Sequence, residues 1–440
     1  MSVKNKQVNL EAQLEVIIDY RGKTPPKSDH GIVALSAKSV KMNRIDYSKA
    51  YYISPETYKK FMTRGFPKKG DVLLTTEAPL GCIATLDRDG ICTAQRLLTL
   101  RGKQGVLHNE YLKYYLQSAE GQHELLSRAS GSTVQGIKRS EFKNIEISLP
   151  DFLTQQKIAT ILTSLDDKIE LNQRMNKTLE EMAQALFKCW FVDFEPTRAK
   201  MAGESPESIC TRLKITPEIL ALFPNKLDES ASVPIPEGWG ISSLDQFIEF
   251  NPRERLVKGE EAPYLEMSAL PINSCWPNPP VQREFKSGTK FRNGDTLLAR
   301  ITPCLENGKT AYVNCLNDNE IAWGSTEYYV MRPKQGIPSE MVYLIARDPE
   351  FRACAISSMT GTSGRQRAQK NVIEAYEYAL PTIESDLFMT FGEVAASLFS
   401  QIKNNALEME SLSQLRDTLL PKLLSGEISV ENVEGDLGNG

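Results

Sequence analysis

The sequence predicts an α+β protein: two tandem globular α/β domains joined and separated by two long antiparallel coiled-coil helices, with an internal pseudo-two-fold duplication. Three observations carry this expectation. Ile158, Leu162, Leu165, Ile169, Asn172, Asn176, Leu179, Ala183 and Leu186 recur at alternating spacings of four and three, the period of a coiled-coil seam. Phe391, Ala395, Leu398, Ile402, Asn405, Met409, Leu412, Arg416 and Leu419 recur at the same spacings. Short motifs also repeat in one order. Gly70-Asp71-Val72-Leu73-Leu74 returns as Gly294-Asp295-Thr296-Leu297-Leu298, Lys103-Gln104-Gly105 as Lys334-Gln335-Gly336, Gln135 as Gln366, and Leu149-Pro150 as Leu380-Pro381. Matches kept in order at nearly constant distance mark a repeat.

Bulk properties agree. A chain of 440 residues exceeds one ordinary core, so several domains are expected. The net charge of −4 hides an asymmetry. Residues 1–150 hold 23 Lys and Arg against 15 Asp and Glu, whereas residues 381–440 hold 3 against 10. A basic first domain suits phosphate contact. No run of about 18 apolar residues is present, so no membrane span is expected. The start MSVKNKQVNL lacks the apolar stretch of a secretory signal. Eight cysteines without a CxxC pair read as free thiols of a reducing, cytoplasmic compartment. Three histidines at no ligand spacing argue against a metal site.

In chain order, residues 1–150 form the first mixed domain. Strands are expected at 70–74, 82–86, 93–100 and 145–149, with one helix from Asn109 to Leu126. The central long helix occupies 151–195, with Thr154 as its N-cap and Pro196 beyond its end. A linker or insert follows at 196–235. The second domain covers 236–382, with one helix from Ser339 to Ala355. The second long helix runs over 383–426, and an acidic, Gly-rich tail at 427–440 reads as disordered. Within the seams, Asn172 and Asn405 lie near the helix midpoints. A buried seam Asn fixes register at a cost in stability, so these two are expected to meet and set the pairing.

Catalytic patterns fail on inspection. Asn278-Pro279-Pro280-Val281 resembles an amino-methyltransferase signature but lacks its stacking aromatic. Pro150-Asp151 with Asp166-Asp167-Lys168 matches a nuclease pattern in letters, yet its second half falls mid-helix, on a face expected to be solvated. Gly308-Lys309-Thr310 ends like a phosphate loop, but Pro303 stands where the first glycine is needed. The chain reads as a binder.

Leu14 through Pro25, Leu149-Pro150 leading into Gln155-Gln156-Lys157-Ile158-Ala159, Ala185-Leu186-Phe187-Lys188 with Phe191-Val192-Asp193-Phe194-Glu195-Pro196, Pro236-Glu237-Gly238-Trp239, and Leu419 through Ile428 together resemble the specificity (S) subunits of type I restriction–modification enzymes. The resemblance spans essentially the whole chain. It departs at Glu384-Ser385-Asp386-Leu387, where the second helix lacks the Gln-Gln-Lys-Ile start. It implies that each globular domain is a target recognition domain reading one half of a bipartite, asymmetric double-stranded DNA site, and that the helices set the spacer. Two methyltransferase (M) subunits carrying S-adenosylmethionine would dock on the helices. Two restriction (R) subunits using ATP and Mg would complete the complex, and this chain would hold no cofactor. The candidate DNA contacts are Thr75, Thr76, Glu77, Gln135, Lys138 and Arg139 in the first domain. In the second they are Arg300, Thr302, Arg365, Gln366 and Arg367. Arg and Gln suit base edges, and Lys suits phosphate. The rival readings are a stand-alone DNA methyltransferase or nuclease with a fused reader, and a coiled-coil scaffold with no DNA role.

Overall fold

The computed structural model describes residues 6–20, 22–131, 133–230, 233–362 and 364–430, so most of the tail expected to be disordered lies outside the described residues. Two compact units form. One comprises the chain up to Ile169 and again from Glu410; the other is Glu170–Met409. Each contains part of both long helices, Phe152–Phe191 and Asp386–Ser425, of 40 residues apiece and about 60 Å long at the usual rise.

The helix ends differ from expectation for local reasons. Asp151, not Thr154, caps the first: its carboxylate accepts the Thr154 backbone N–H at 3.0 Å and the Thr154 hydroxyl at 2.7 Å. A carboxylate there also faces the positive end of the helix dipole. The helix stops at Phe191, short of 195, because Phe194 turns left-handed at φ 55° and Pro196 starts a new short helix, Glu195–Met201. The second long helix ends at Ser425, where Gly426 takes φ 73°, the usual glycine stop.

In the first unit, a four-stranded antiparallel sheet has the order Leu14–Asp19, Leu97–Gly102, Val72–Thr76, Leu80–Thr85. The stretch expected as one strand over 93–100 is two, Cys92–Thr93 and Leu97–Gly102, because Arg96 sits at φ 64° and turns the chain. The helix expected over 109–126 is also two, Asn109–Gln117 and Ala119–Ser127. Ser118 is extended between them, and its hydroxyl accepts the Gly121 N–H at 3.1 Å. Gly121 permits the sharp approach: a Cβ there would lie 2.1 Å from the Tyr115 carbonyl oxygen. Leu74, Leu98, Leu100, Leu112 and Tyr115 bury the interface between sheet and helices.

The second unit repeats this strand order: Ile248–Phe250, Tyr328–Pro333, Thr296–Ala299, Thr310–Tyr312, again antiparallel. Its expected single helix breaks too, into Ser339–Arg347 and Pro349–Ser357. Asp348 caps the second piece by accepting the Glu350 and Phe351 N–H groups. Residues 196–235 are more than a linker. Short helices at Glu195–Met201, Pro206–Leu213 and Pro217–Ala221 place Ala199, Ile209, Leu220 and Phe223 in the same core as Trp190, Phe191 and Phe391.

The repeated Gly-Asp motif has one cause in both units. Gly70 and Gly294 share φ 88°. The following Asp closes the turn by accepting a backbone N–H three residues back, Lys68 for Asp71 and Arg292 for Asp295. Each carboxylate is then gripped at two points of 2.7 Å by an Arg of the central strand, Arg101 or Arg332. Bidentate Arg–carboxylate pairs combine geometric specificity with strength, so the motif ties the sheet's first turn to its centre.

The long helices pack antiparallel. In the second unit Phe187 meets Phe391, and buried Asn176 accepts from Asn405 Nδ2 at 2.8 Å while donating to the Ile402 carbonyl at 3.1 Å. In the first, Arg416 reaches Asp166 at 2.8 Å, and Leu162 shares a core with Leu423. Two expectations are corrected. Asn405 meets Asn176, not Asn172; the pairing lies one turn along, and Asn172 donates instead to Glu408 at 2.7 Å. Asp166 is not on a solvated face. Its side chain is 9% exposed and also accepts from the Tyr114 hydroxyl at 2.7 Å.

Replacing Asn176 with Leu leaves the buried Asn405 amide without its acceptor and is expected to cost about 1–3 kcal/mol. The double variant N176L/N405L should recover much of that loss, since removing both polar partners is far less costly than orphaning one. Denaturant titration of the four-member cycle measures the coupling; strictly additive losses would show that the two residues do not act as a pair.

Candidate nucleic-acid interface

In the first unit the ends of several strands surround a cleft of about 610 Å³. Thr76 and Glu77 leave the central sheet there, Gln95 and Arg96 enter it, and Lys138 comes from the loop beyond the second helix. Asp19 and Arg64 complete the rim. The cleft assembles because Glu77 pairs with Gly136 as an isolated bridge, which draws the loop onto the sheet end. Gly136 fits this approach: a Cβ there would stand 3.1 Å from the Thr76 carbonyl oxygen. Arg96 lies 3.2 Å from Glu77, and both side chains are 40% exposed. Thr24 donates its hydroxyl to Gln95 at 3.1 Å, so the segment after the first sheet strand also buttresses the rim.

The six expected residues of this unit divide. Thr76, Glu77 and Lys138 line the cleft, and Gln135 is exposed on its loop. Thr75 is fully buried, its hydroxyl accepting the Cys82 N–H at 2.8 Å, so it supports the sheet and cannot reach DNA. Arg139 is occupied: it pairs with Glu11 at 2.5 Å and lies over the Phe142 ring. The pair ties the short helix Arg139–Phe142 to the N-terminal segment. Arg64, Gln95 and Arg96 were not anticipated. Gln95 and Arg96 stood inside a stretch expected as one strand, and only the unexpected break before Leu97 turns Arg96 to the sheet's end.

In the second unit the same sheet end carries a different set. Arg300 and Arg367 converge on Glu327, at 3.2 and 2.6 Å. Arg367 binds it from both Nε and Nη2, and Arg300 also lies over the Tyr329 ring. The hydrogen bonds from Arg367, assisted by the charge of Arg300, hold the Glu327 carboxyl below its ordinary range. Thr302 donates both its N–H and its hydroxyl to the Gln366 carbonyl, at 3.0 and 3.1 Å; Thr302 therefore pins the loop. Arg365 is exposed and Gln366 half-buried. The unforeseen member is Glu327, whose position before a strand gave no signal of its two partners.

A solvent-facing array of guanidinium, amide and ammonium donors at loop ends is suited to nucleic-acid grooves and phosphates. Comparison with known proteins defines the class. Residues 17–181 match the family model of the type I restriction modification DNA specificity domain, so the match covers the first globular domain and most of the central helix. The chain is also 25% identical over 404 residues, 82% of its length and 87% of the relative's, to the type I restriction enzyme HindI specificity subunit of Haemophilus influenzae. It is 27% identical over 403 residues, 87% of its length and 82% of the relative's, to the MjaIX specificity subunit of Methanocaldococcus jannaschii. In fold it is similar to the crystal structure of a type I restriction–modification S subunit from M. genitalium, with a TM-score of 0.54, 16% identity and 96% of both chains covered. The chain thus carries a type I restriction modification DNA specificity domain over residues 17–181 and is similar over most of its length to specificity subunits of type I restriction enzymes.

Glu327 yields a pH prediction. Its folded-state pKa lies below the unfolded value, so its pairing stabilises the second unit above the unfolded carboxyl pKa of about 4.3. That stabilisation is lost as pH falls through the lower folded value. The stability difference between the wild type and Glu327→Gln should be largest near neutral pH and vanish in acid, as followed by urea unfolding across pH. A difference that grows toward acid would contradict the pairing.

Proposed function

We propose that this chain is the DNA-reading subunit of a type I restriction–modification complex, in which each unit reads one half of a bipartite, asymmetric double-stranded site. The observation that carries this reading is the recurrence of one four-stranded order in both units, with donor-rich loops at the same sheet end and different residues on them. Shared scaffold and divergent loops are what two readers of unlike half-sites require. On this reading the units are internal copies, residues 1–150 and 236–382 act as target recognition domains, and the packed helices fix the spacer between half-sites. Two methyltransferase subunits carrying S-adenosylmethionine dock on the helices. Two restriction subunits supply ATP- and Mg-dependent cleavage, and the complex works in the cytoplasm. This chain contributes recognition and holds no cofactor. The exposed loop residues Gln135, Lys138 and Arg365 and the half-buried Gln366 remain DNA contacts in this proposal, with Thr76, Glu77, Arg300 and Arg367 beside them.

Exchanging residues 1–150 for the same region of a relative should change one half of the methylated sequence and leave the other intact, as read by mapping methylated adenines in cells that also supply the partner subunits. A change in both halves would defeat the two-reader assignment. Deleting the heptad Lys168–Arg174 should alter the spacer or abolish assembly; unaltered spacing in an assembled complex would rule out the ruler role. Lys138→Ala should weaken binding on all sequences alike and lower the salt-dependence slope by about one, measured by fluorescence anisotropy of the assembled complex at several salt concentrations.

A further inference from the structure

The two sheet ends can be compared residue by residue, because the strand registers are the same. In the first unit Leu97 pairs with Thr75, and the next step is a hydrogen bond from the Thr76 N–H to the Arg96 carbonyl at 2.9 Å. In the second, Tyr328 pairs with Ala299, and the next step is the Arg300 N–H to the Glu327 carbonyl at 3.0 Å. Arg96 and Glu327 are therefore equivalent, as are Thr76 and Arg300. The isolated bridges extend the match: Glu77 with Gly136 corresponds to Ile301 with Arg367. At one of these positions the charge is reversed, Arg96 against Glu327; Arg300 and Arg367 stand where the first unit has Thr76 and Gly136, and Ile301 stands where it has Glu77. Where the first unit has an Arg before its central strand, paired with an acid on the neighbouring segment, the second has an acid paired with two arginines.

This reversal bears on what the arginines contact. A guanidinium that clamps phosphate is best left without a neighbouring carboxylate, since the acid repels the same phosphate. Each of these arginines has a carboxylate within 3.2 Å or less. A base edge carries no net charge, so the acid does not oppose it, and the acid orients the guanidinium fork for a bidentate contact with guanine O6 and N7. Burial is incomplete at Arg96 and Arg367, each 40% exposed, so the forks remain reachable from solvent. Resting on the proposal that each unit reads one half-site, we infer that Arg96 in the first unit and the Arg300–Arg367 pair in the second are the guanine-reading residues that make the two half-sites differ. Glu77 and Glu327 are their positioning residues.

The test uses the full chain assembled with its methyltransferase partners, read by methylated-adenine mapping and by DNA binding at several salt concentrations. Arg96→Gln should relax one base position in one half-site, with about ten-fold or greater loss of discrimination there. The other half-site and the salt slope should be unchanged. Arg367→Gln should do the same to the opposite half-site. Glu77→Gln should raise affinity for unrelated DNA while the methylated sequence becomes less strict, because the guard against phosphate is gone. Should Arg96→Gln fail to assemble, Arg96→Lys is read instead; it keeps the charge, lacks the fork, and should relax the same position. An unchanged methylated sequence, or an Arg96 variant whose salt slope falls by about one with specificity intact, overturns the inference and leaves the two-reader proposal standing. A wild-type complex that methylates without any bipartite sequence overturns both.

Discussion

The contact between Asn176 and Asn405 is the constraint on which the helix pairing depends. Both amides are buried in the seam, and the bond between them forms only at one axial setting. A slip of one turn would part the Asn405 donor from the Asn176 oxygen and leave the Asn176 amide without the Ile402 carbonyl. An unpaired buried amide costs more than the apolar contacts regained. The neighbouring contacts reinforce that setting. Asn172 reaches Glu408, and Asp166 takes Arg416. An apolar seam alone tolerates slippage; these polar contacts do not.

Each unit uses the same economy at its sheet. A glycine in the left-handed region, an aspartate that closes the turn and an arginine from the central strand form one interlocked set, found at Asp71–Arg101 and at Asp295–Arg332. The carboxylates are 1% exposed, so the pair is well shielded from water and rigid. The loops beyond the opposite ends of those strands are free of that constraint. Their residues vary between the units while the scaffold does not, which is the arrangement expected where binding residues sit on loops held by a stiff frame.

Much of this architecture was legible in the sequence. The seams announced two long helices because period and length are local properties. The Gly-Asp motifs announced the strands for the same reason. The misread elements share one cause. The helices broken at Ser118 and Asp348 keep their apolar spacing across the break, so periodicity saw through a kink that capping hydrogen bonds impose. Arg96 was lost inside an apparent strand because nothing local marks an Arg that will adopt φ 64°. Of the candidate contacts, Thr75 and Arg139 were chosen for residue type and loop position, but burial and a partner 128 residues away assign them to the scaffold.

The sequence by itself therefore determined the two long helices, the repeated motif order and the basic first domain, since each follows from composition or from spacing along the chain. Only the tertiary structure decided that Asn405 meets Asn176, that Asp166 is an interhelical ion-pair partner, and that Arg96 and Glu327 stand at equivalent sheet ends with opposite charge, each paired across to the neighbouring segment. Those facts depend on which distant residues come together, and a side chain's role is set by the partner and the burial it receives, neither of which is encoded at its own position.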